Sequence, residues 1–187
     1  MSEPTPTSAA AIDRDNPWPG LATFTEDQGA YFHGRDDEID DLTQLARLRA
    51  LVVLFGQSGL GKSSLLQAGV FPRLRAAGFC PIYIRLDHAE SAPSPTEQIG
   101  SLLVSETAKV GTWTKPGAAK PGETLWELFH HRDDRLIGPG GRPIIPVLVF
   151  DQFEELFTLG AARSTSSGQA GDRRERAVAF ISELAEL

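Results

Sequence analysis

Two stretches of the chain are apolar without interruption, Leu51–Phe55 and Ile144–Phe150, and a third, Pro81–Leu86, is rich in strand formers at Ile82, Tyr83 and Ile84. Each has the length of a strand, and a run without alternation suits a strand covered on both faces, as in a parallel sheet. Between them the apolar positions recur at helical spacing. Ile39, Leu42, Leu45 and Leu48 share one face of a helix that starts at Asp36, with acidic residues in its first turn, where the dipole favours them. A helix from Lys62 to about Val70 follows, with Pro72 placed to end or kink it. Pro93 and Pro95 break the chain before a helix marked by Ile99, Leu102, Leu103 and Val110; Leu125, Leu128 and Phe129 mark another over Glu123–Leu136. Val178, Ile181 and Leu184 give the last. Strands alternating with helices predict an α/β fold, a parallel sheet flanked by helices.

The remaining segments read as connections. Residues 1–15 carry Pro, Ser, Thr and Ala without a basic-then-apolar signal pattern and predict a disordered tail. Asn16-Pro17-Trp18-Pro19-Gly20-Leu21 predicts a rigid turn, and with Phe24, Tyr31 and Phe32 it makes residues 16–50 a lid segment ahead of the core at 51–187. Gly111–Gly122 has the composition of a surface loop, and no internal repeat is visible.

The first apolar run opens directly into Gly56-Gln57-Ser58-Gly59-Leu60-Gly61-Lys62-Ser63-Ser64. The glycines let the backbone turn so that successive N–H groups face inward at the β- and γ-phosphates of a nucleoside triphosphate. Lys62 adds an ammonium, Ser63 a hydroxyl for Mg²⁺, and the helix that starts there points its positive end at the same anion. The third run ends in Asp151-Gln152-Phe153-Glu154-Glu155. Asp151 is placed to hold Mg²⁺, and Glu154 or Glu155 to polarise the attacking water, without the sequence choosing between them. Read alone, these acids would be an ordinary acidic helix start; downstream of a phosphate loop they read as catalytic.

Composition narrows the picture further. A formal net charge of -7 over 187 residues and a sequence pI of about 5.1 speak against a nucleic-acid surface. No apolar run is long enough to span a bilayer, so no membrane partner is expected. Cys80 is the only cysteine and reads as a buried small side chain, in keeping with a cytoplasmic location.

The order Pro17-Trp18-Pro19-Gly20-Leu21, Phe32-His33-Gly34-Arg35, the phosphate loop continuing as Leu65-Leu66-Gln67-Ala68-Gly69, and Asp151-Gln152-Phe153-Glu154-Glu155-Leu156-Phe157 resembles the novel STAND NTPases, bacterial signal-transduction ATPases related to the NACHT and apoptotic ATPases. The resemblance implies an ASCE-type P-loop sheet, with ATP and Mg²⁺ as cofactors. Gly34 and Arg35 would border the base and ribose. Gly56, Gln57, Ser58, Gly59, Leu60, Gly61, Lys62, Ser63 and Ser64 would hold phosphate; Ser63 and Asp151 would hold Mg²⁺; Glu154 and Glu155 would carry the catalytic carboxylate. In such a sheet a sensor strand separates the first and third runs. Ile82–Leu86 is therefore expected to pair in parallel with Ile144–Phe150, and Leu51–Phe55 with neither.

The resemblance also implies a longer protein, with a sensor arginine, a helical or winged-helix lid and a repeat region, often WD-repeats. The chain ends inside an amphipathic pattern and reads as a fragment cut before the sensor strand, expected to be poorly stable by itself. Oligomerisation on activation would follow. Two rivals remain: an AAA+-like or replication-initiator ATPase acting on nucleic acid, which needs a basic DNA-binding domain, and a scaffold that binds nucleotide without hydrolysing it. Outside these motifs, the His130–Asp134 cluster reads as a solvated helix face, Asp87-His88 as a polar loop at the active edge of the sheet, Trp113 and Trp126 as packing residues, and His33 as a lid contact.

Overall fold

The computed structural model describes residues 12–18, 20, 22–89, 91–114, 122–131, 135–156 and 169–187. The chain divides into two compact units, Met1–Ala77 and Gly78–Leu187.

In the first unit a 3₁₀ turn at Glu26–Tyr31 is opened by Thr25, whose backbone N–H donates to Oε1 of Gln28 at 3.0 Å. Helix α1 (Asp36–Leu48) carries Asp36, Asp37 and Glu38 in its first turn, where carboxylates meet the positive end of the dipole. Its expected apolar stripe is used only at the start: Ile39 is buried, whereas Leu45 is 45% and Leu48 71% exposed. Helix α2 (Lys62–Ser64) runs on without a break through a π-wound stretch (Leu65–Val70) into α3 (Phe71–Ala76). Of the two outcomes expected at Pro72, an end or a kink, the helix does not end there. The wider π turn precedes it, so the N–H that proline lacks is lost where the bonding pattern is already changing. Leu65, Ala68, Val70, Phe71 and Leu74 form the buried face. Gly69 makes that packing possible, since a β-carbon there would lie 2.6 Å from Cδ1 of Ile39.

Leu51–Phe55 departs from expectation. The segment joins no strand ladder among the described residues, and Leu51, Val53 and Phe55 are 80%, 71% and 88% exposed. A strand is stabilised by its neighbours, and the described residues of this unit contain no other strand with which it could pair.

The second unit holds β1 (Phe79–Ile84), α4 (Pro95–Thr107), β2 (Thr112–Trp113), a π-wound turn at Glu127–His131, β3 (Leu136–Ile137), β4 (Ile145–Phe150) and α5 (Gln169–Ala185). β1 and β4 pair in parallel, as expected, with Ile82 opposite Leu148 and Ile84 opposite Phe150. The core gathers Cys80, Ile82 and Ile84 from β1, Ile99 and Leu103 from α4, and Leu125, Leu136, Leu156 and Phe180. Ser94 caps α4: its hydroxyl accepts from the Glu97 N–H at 3.2 Å while Glu97 Oε2 accepts from the Ser94 N–H at 2.8 Å. That backbone bond, followed by the Ser94 hydroxyl, holds the Glu97 carboxyl below its usual range.

Two sequence expectations need correction here. The helix expected over Glu123–Leu136 gives way to a strand at its end, since Leu136–Ile137 pairs antiparallel with Thr112–Trp113 inside the expected surface loop. The ladder wins because it buries Leu136 to 2% exposure and exchanges Thr114 N–H to Arg135 O at 3.0 Å. In α5 Ile181 and Leu184 pack against the core as expected, but the fully buried residue is Phe180, whose ring lies 6.1 Å from that of Phe150, whereas Val178 is 56% exposed. An aromatic ring contributes more buried area and takes the inward position. Glu183 ties this helix down, accepting from Thr96 Oγ1 at 3.1 Å and from the Leu125 N–H at 2.9 Å. Residues 1–11, 115–121 and 132–134, which include much of the expected tail, loop and polar cluster, lie outside the described residues. Among the described residues no helix is long and apolar enough to cross a membrane.

Candidate functional site

The phosphate loop is built by two backbone reversals. Gly59 (φ 84°) and Gly61 (φ 72°) both take the left-handed conformation, which costs glycine nothing and any residue with a β-carbon about 1–2 kcal/mol. Gly61 caps the N-terminus of α2, and its carbonyl accepts from the Leu65 N–H at 2.8 Å. Gly56 to Leu60 are all exposed, as a loop that must receive a ligand requires. Lys62 folds back over it, with Nζ donating to the carbonyls of Gly56 at 2.9 Å and Gln57 at 3.0 Å.

Arg35 reaches the same loop. Its Nη1 donates to the Leu60 carbonyl at 2.8 Å while Nε pairs with Oε1 of Glu38 at 3.2 Å. Gly34 (φ 81°) turns the chain into α1 just ahead of it. Arg35 is thus brought onto the phosphate loop itself. The two serines differ in setting: Ser64 is buried, and its Oγ accepts from the Phe24 N–H at 3.1 Å, so this hydroxyl anchors the segment before α1. Phe24 and Phe32 pack ring to ring at 5.5 Å there, whereas Trp18 is 73% exposed.

In the second unit, Asp151 extends the parallel ladder by one residue, its N–H donating to the Ile84 carbonyl at 2.9 Å. The Tyr83 hydroxyl donates to Asp151 Oδ2. Sequence reading took Tyr83 only as a strand former. The signal that would have found it is register: Tyr83 sits opposite Val149, and Asp151, two residues on, shares the face of Val149. Beyond Asp151 the chain turns sharply at Gln152 (φ 55°), and Glu155 N–H bonds back to the Gln152 carbonyl at 2.9 Å. Glu154 is exposed, and Glu155 pairs with Arg85 at 4.0 Å. Asp87 serves its own loop, its Oδ1 accepting from the Ala89 N–H at 2.9 Å. His88 lines a small cavity with Arg85, Asp151, Gln152 and Glu155. Trp113 is a packing residue with a polar tie, Nε1 donating to Thr107 Oγ1 at 2.6 Å.

Each unit carries an oxygen donor of the kind a hard cation takes: the Ser63 hydroxyl in the first and, in the second, the Asp151 carboxylate, one oxygen of which Tyr83 orients.

No curated protein and no solved structure matches the chain significantly. The family model for Novel STAND NTPase 1 matches residues 17–186, a span that holds both the phosphate loop and the Asp151 strand. The chain belongs to the Novel STAND NTPase 1 family.

Proposed function

We propose that this chain is a Mg²⁺-dependent, ATP-binding switch module that hydrolyses its nucleotide slowly, within an ASCE-type P-loop sheet. The observation that carries the reading is the loop itself: two left-handed glycines, an exposed turn, and a lysine and a helix N-terminus at its end. In this reading the loop amides and the Lys62 ammonium, leaving the Gly56 and Gln57 carbonyls, hold the β- and γ-phosphates. Arg35 fixes the Leu60 end of the loop. Asp151 and Ser63 hold Mg²⁺, which when bound draws charge from the phosphate oxygens. Glu154 or Glu155 takes a proton from water. Binding rather than turnover is the output, with ATP favouring one arrangement of the protein and hydrolysis resetting it. Signalling or defence in a bacterial cytoplasm, attached sensor repeats and homo-oligomerisation belong to the same reading.

Titration calorimetry with ATP in excess Mg²⁺ tests it. A saturable heat, larger affinity for ATP than for AMP, and loss of affinity on chelating Mg²⁺ are expected. No binding at millimolar ATP would overturn the proposal.

A further inference from the structure

One segment of the first unit holds the phosphate loop from outside at two points. Arg35 Nη1 donates to the Leu60 carbonyl at 2.8 Å, just before Gly61 leads the chain into α2. The Phe24 N–H donates to Ser64 Oγ at 3.1 Å, just after Lys62 and Ser63. Between these two ties residues 24–35 lie as a strap against the helix that follows the loop. Both carboxylate oxygens of Glu26 accept from Arg75 Nε, at 2.9 and 3.1 Å. Gly29 comes so close that a β-carbon there would stand 3.0 Å from the Ala68 carbonyl oxygen, and the rings of Phe24 and Phe32 close the strap on itself at 5.5 Å. Ser64 and Phe24 are only 8% and 9% exposed, so water is poorly placed to take over their bond. Gly56 to Leu60, by contrast, are exposed.

We infer that residues 24–35 are a clamp on the phosphate loop with Ser64 and Arg35 as its two fastenings, and that Ser64 is a positioning residue acting on the nucleotide through Phe24; the inference rests on the ATP-binding reading above. A loop that turns at the left-handed glycines Gly59 and Gly61 has many other conformations open to it, because glycine visits them at little cost. Fastening both sides of Gly61 to a strap that is itself packed removes much of that freedom before a ligand arrives, and a loop ordered in advance loses less entropy on binding. The coupling works in both directions. A triphosphate that orders the loop steadies the strap, and anything that steadies the strap raises the affinity for triphosphate by the same factor. The clamp makes the segment ahead of α1 a reporter of loop occupancy.

Two measurements on the full chain test this. The first is hydrogen exchange at the Phe24 amide, the donor of the buried bond, read by NMR with and without saturating ATP or inorganic triphosphate in the presence of Mg²⁺. Either ligand should slow exchange at least about fivefold. A ligand that binds without slowing it would overturn the clamp and leave the ATP-binding reading intact, and so would binding of ATP without binding of triphosphate. The second is a cycle of triphosphate affinities by calorimetry. Ser64→Ala and Arg35→Ala should each weaken binding about three- to tenfold, and the double variant should be no more than about twofold weaker than the poorer single one, because either change opens the same clamp. Losses that multiply would mean two independent contacts and no clamp. Phe32→Ala leaves both fastening bonds their partners and serves where Ser64→Ala does not fold; it should remove the slowing at Phe24 and weaken triphosphate binding about threefold, and wild-type behaviour in both would overturn the clamp. Wild-type protein that binds neither ligand would overturn both readings.

Discussion

Tyr83 on β1 donates its hydroxyl proton to Oδ2 of Asp151, one residue past the end of β4. The bond fixes the orientation of the Asp151 carboxylate at the end of β4. Charge-assisted bonds of this kind are worth about 1.5–3 kcal/mol, enough to hold a side chain in one rotamer. Tyr83→Phe keeps the ring and removes the bond. It should raise the Mg²⁺ concentration needed for half-maximal ATP binding by about five- to tenfold, with ATP binding in EDTA unchanged. Calorimetry over a Mg²⁺ series checks this, and an unchanged midpoint would show that Asp151 needs no such partner.

Lys62 bonds to two carbonyls of its own loop, so its ammonium is already held over the place where phosphate would bind. Lys62→Ala should weaken ATP binding at least about thirtyfold, and Lys62→Arg should not restore it, because a planar guanidinium cannot replace a compact ammonium in a closed loop. Circular dichroism should be unchanged in both. Undiminished affinity in calorimetry would remove the loop from the nucleotide site.

The contact of Arg35 with the Leu60 carbonyl makes a different forecast from a base-and-ribose role. Arg35→Ala should lower the affinity for ATP and for inorganic triphosphate alike, by about three- to tenfold, since an exposed hydrogen bond to the loop is worth about 1 kcal/mol. If only the nucleoside-bearing ligand is affected, Arg35 touches the base or ribose.

Replacing both Glu154 and Glu155 with Gln should leave ATP affinity within about threefold while lowering phosphate release by about a hundredfold or more, the usual contribution of a general base. Turnover near the wild-type rate would place the base elsewhere, with Asp87 as the next residue to replace.

Gly69→Ala tests packing. The added methyl would sit 2.6 Å from both Cγ1 and Cδ1 of Ile39, and overpacking of this kind costs about 1–3 kcal/mol, against a gain of up to about 1 kcal/mol for alanine over glycine in a helix. A net loss of about 1 kcal/mol is expected in urea unfolding. Ile39→Val should recover part of it in the double variant, which separates a local clash from a general loss of helix.

What the sequence made legible is what depends on neighbours along the chain. The phosphate loop, the start of α1 at Asp36, and the runs at β1 and β4 are all local patterns, and the parallel pairing of the last two came with the family resemblance. Tyr83 was missed because its value lies in the register of one strand against another. Leu51–Phe55 reads as a strand by composition and pairs with nothing among the described residues, because composition reports a tendency to be buried and a ladder requires a partner. Val178 and Phe180 show the limit of periodicity: both are apolar, and the larger of them takes the core. The same limit applies to Leu136, which helical spacing assigned to the preceding helix and cross-strand pairing claimed for β3.

The π-wound stretch at Leu65–Val70 sits between the loop-bearing turn at Lys62–Ser64 and the buried face that continues through Phe71 and Leu74. Each residue of an ordinary helix advances the chain by about 100°. A π turn holds one residue more than the α turn it replaces, so a chain that lost one residue within this stretch would regain regular winding with Phe71 and Leu74 still on the face they occupy now. A one-residue deletion here should therefore cost less than the same deletion in α1, where no wide turn absorbs the change of phase.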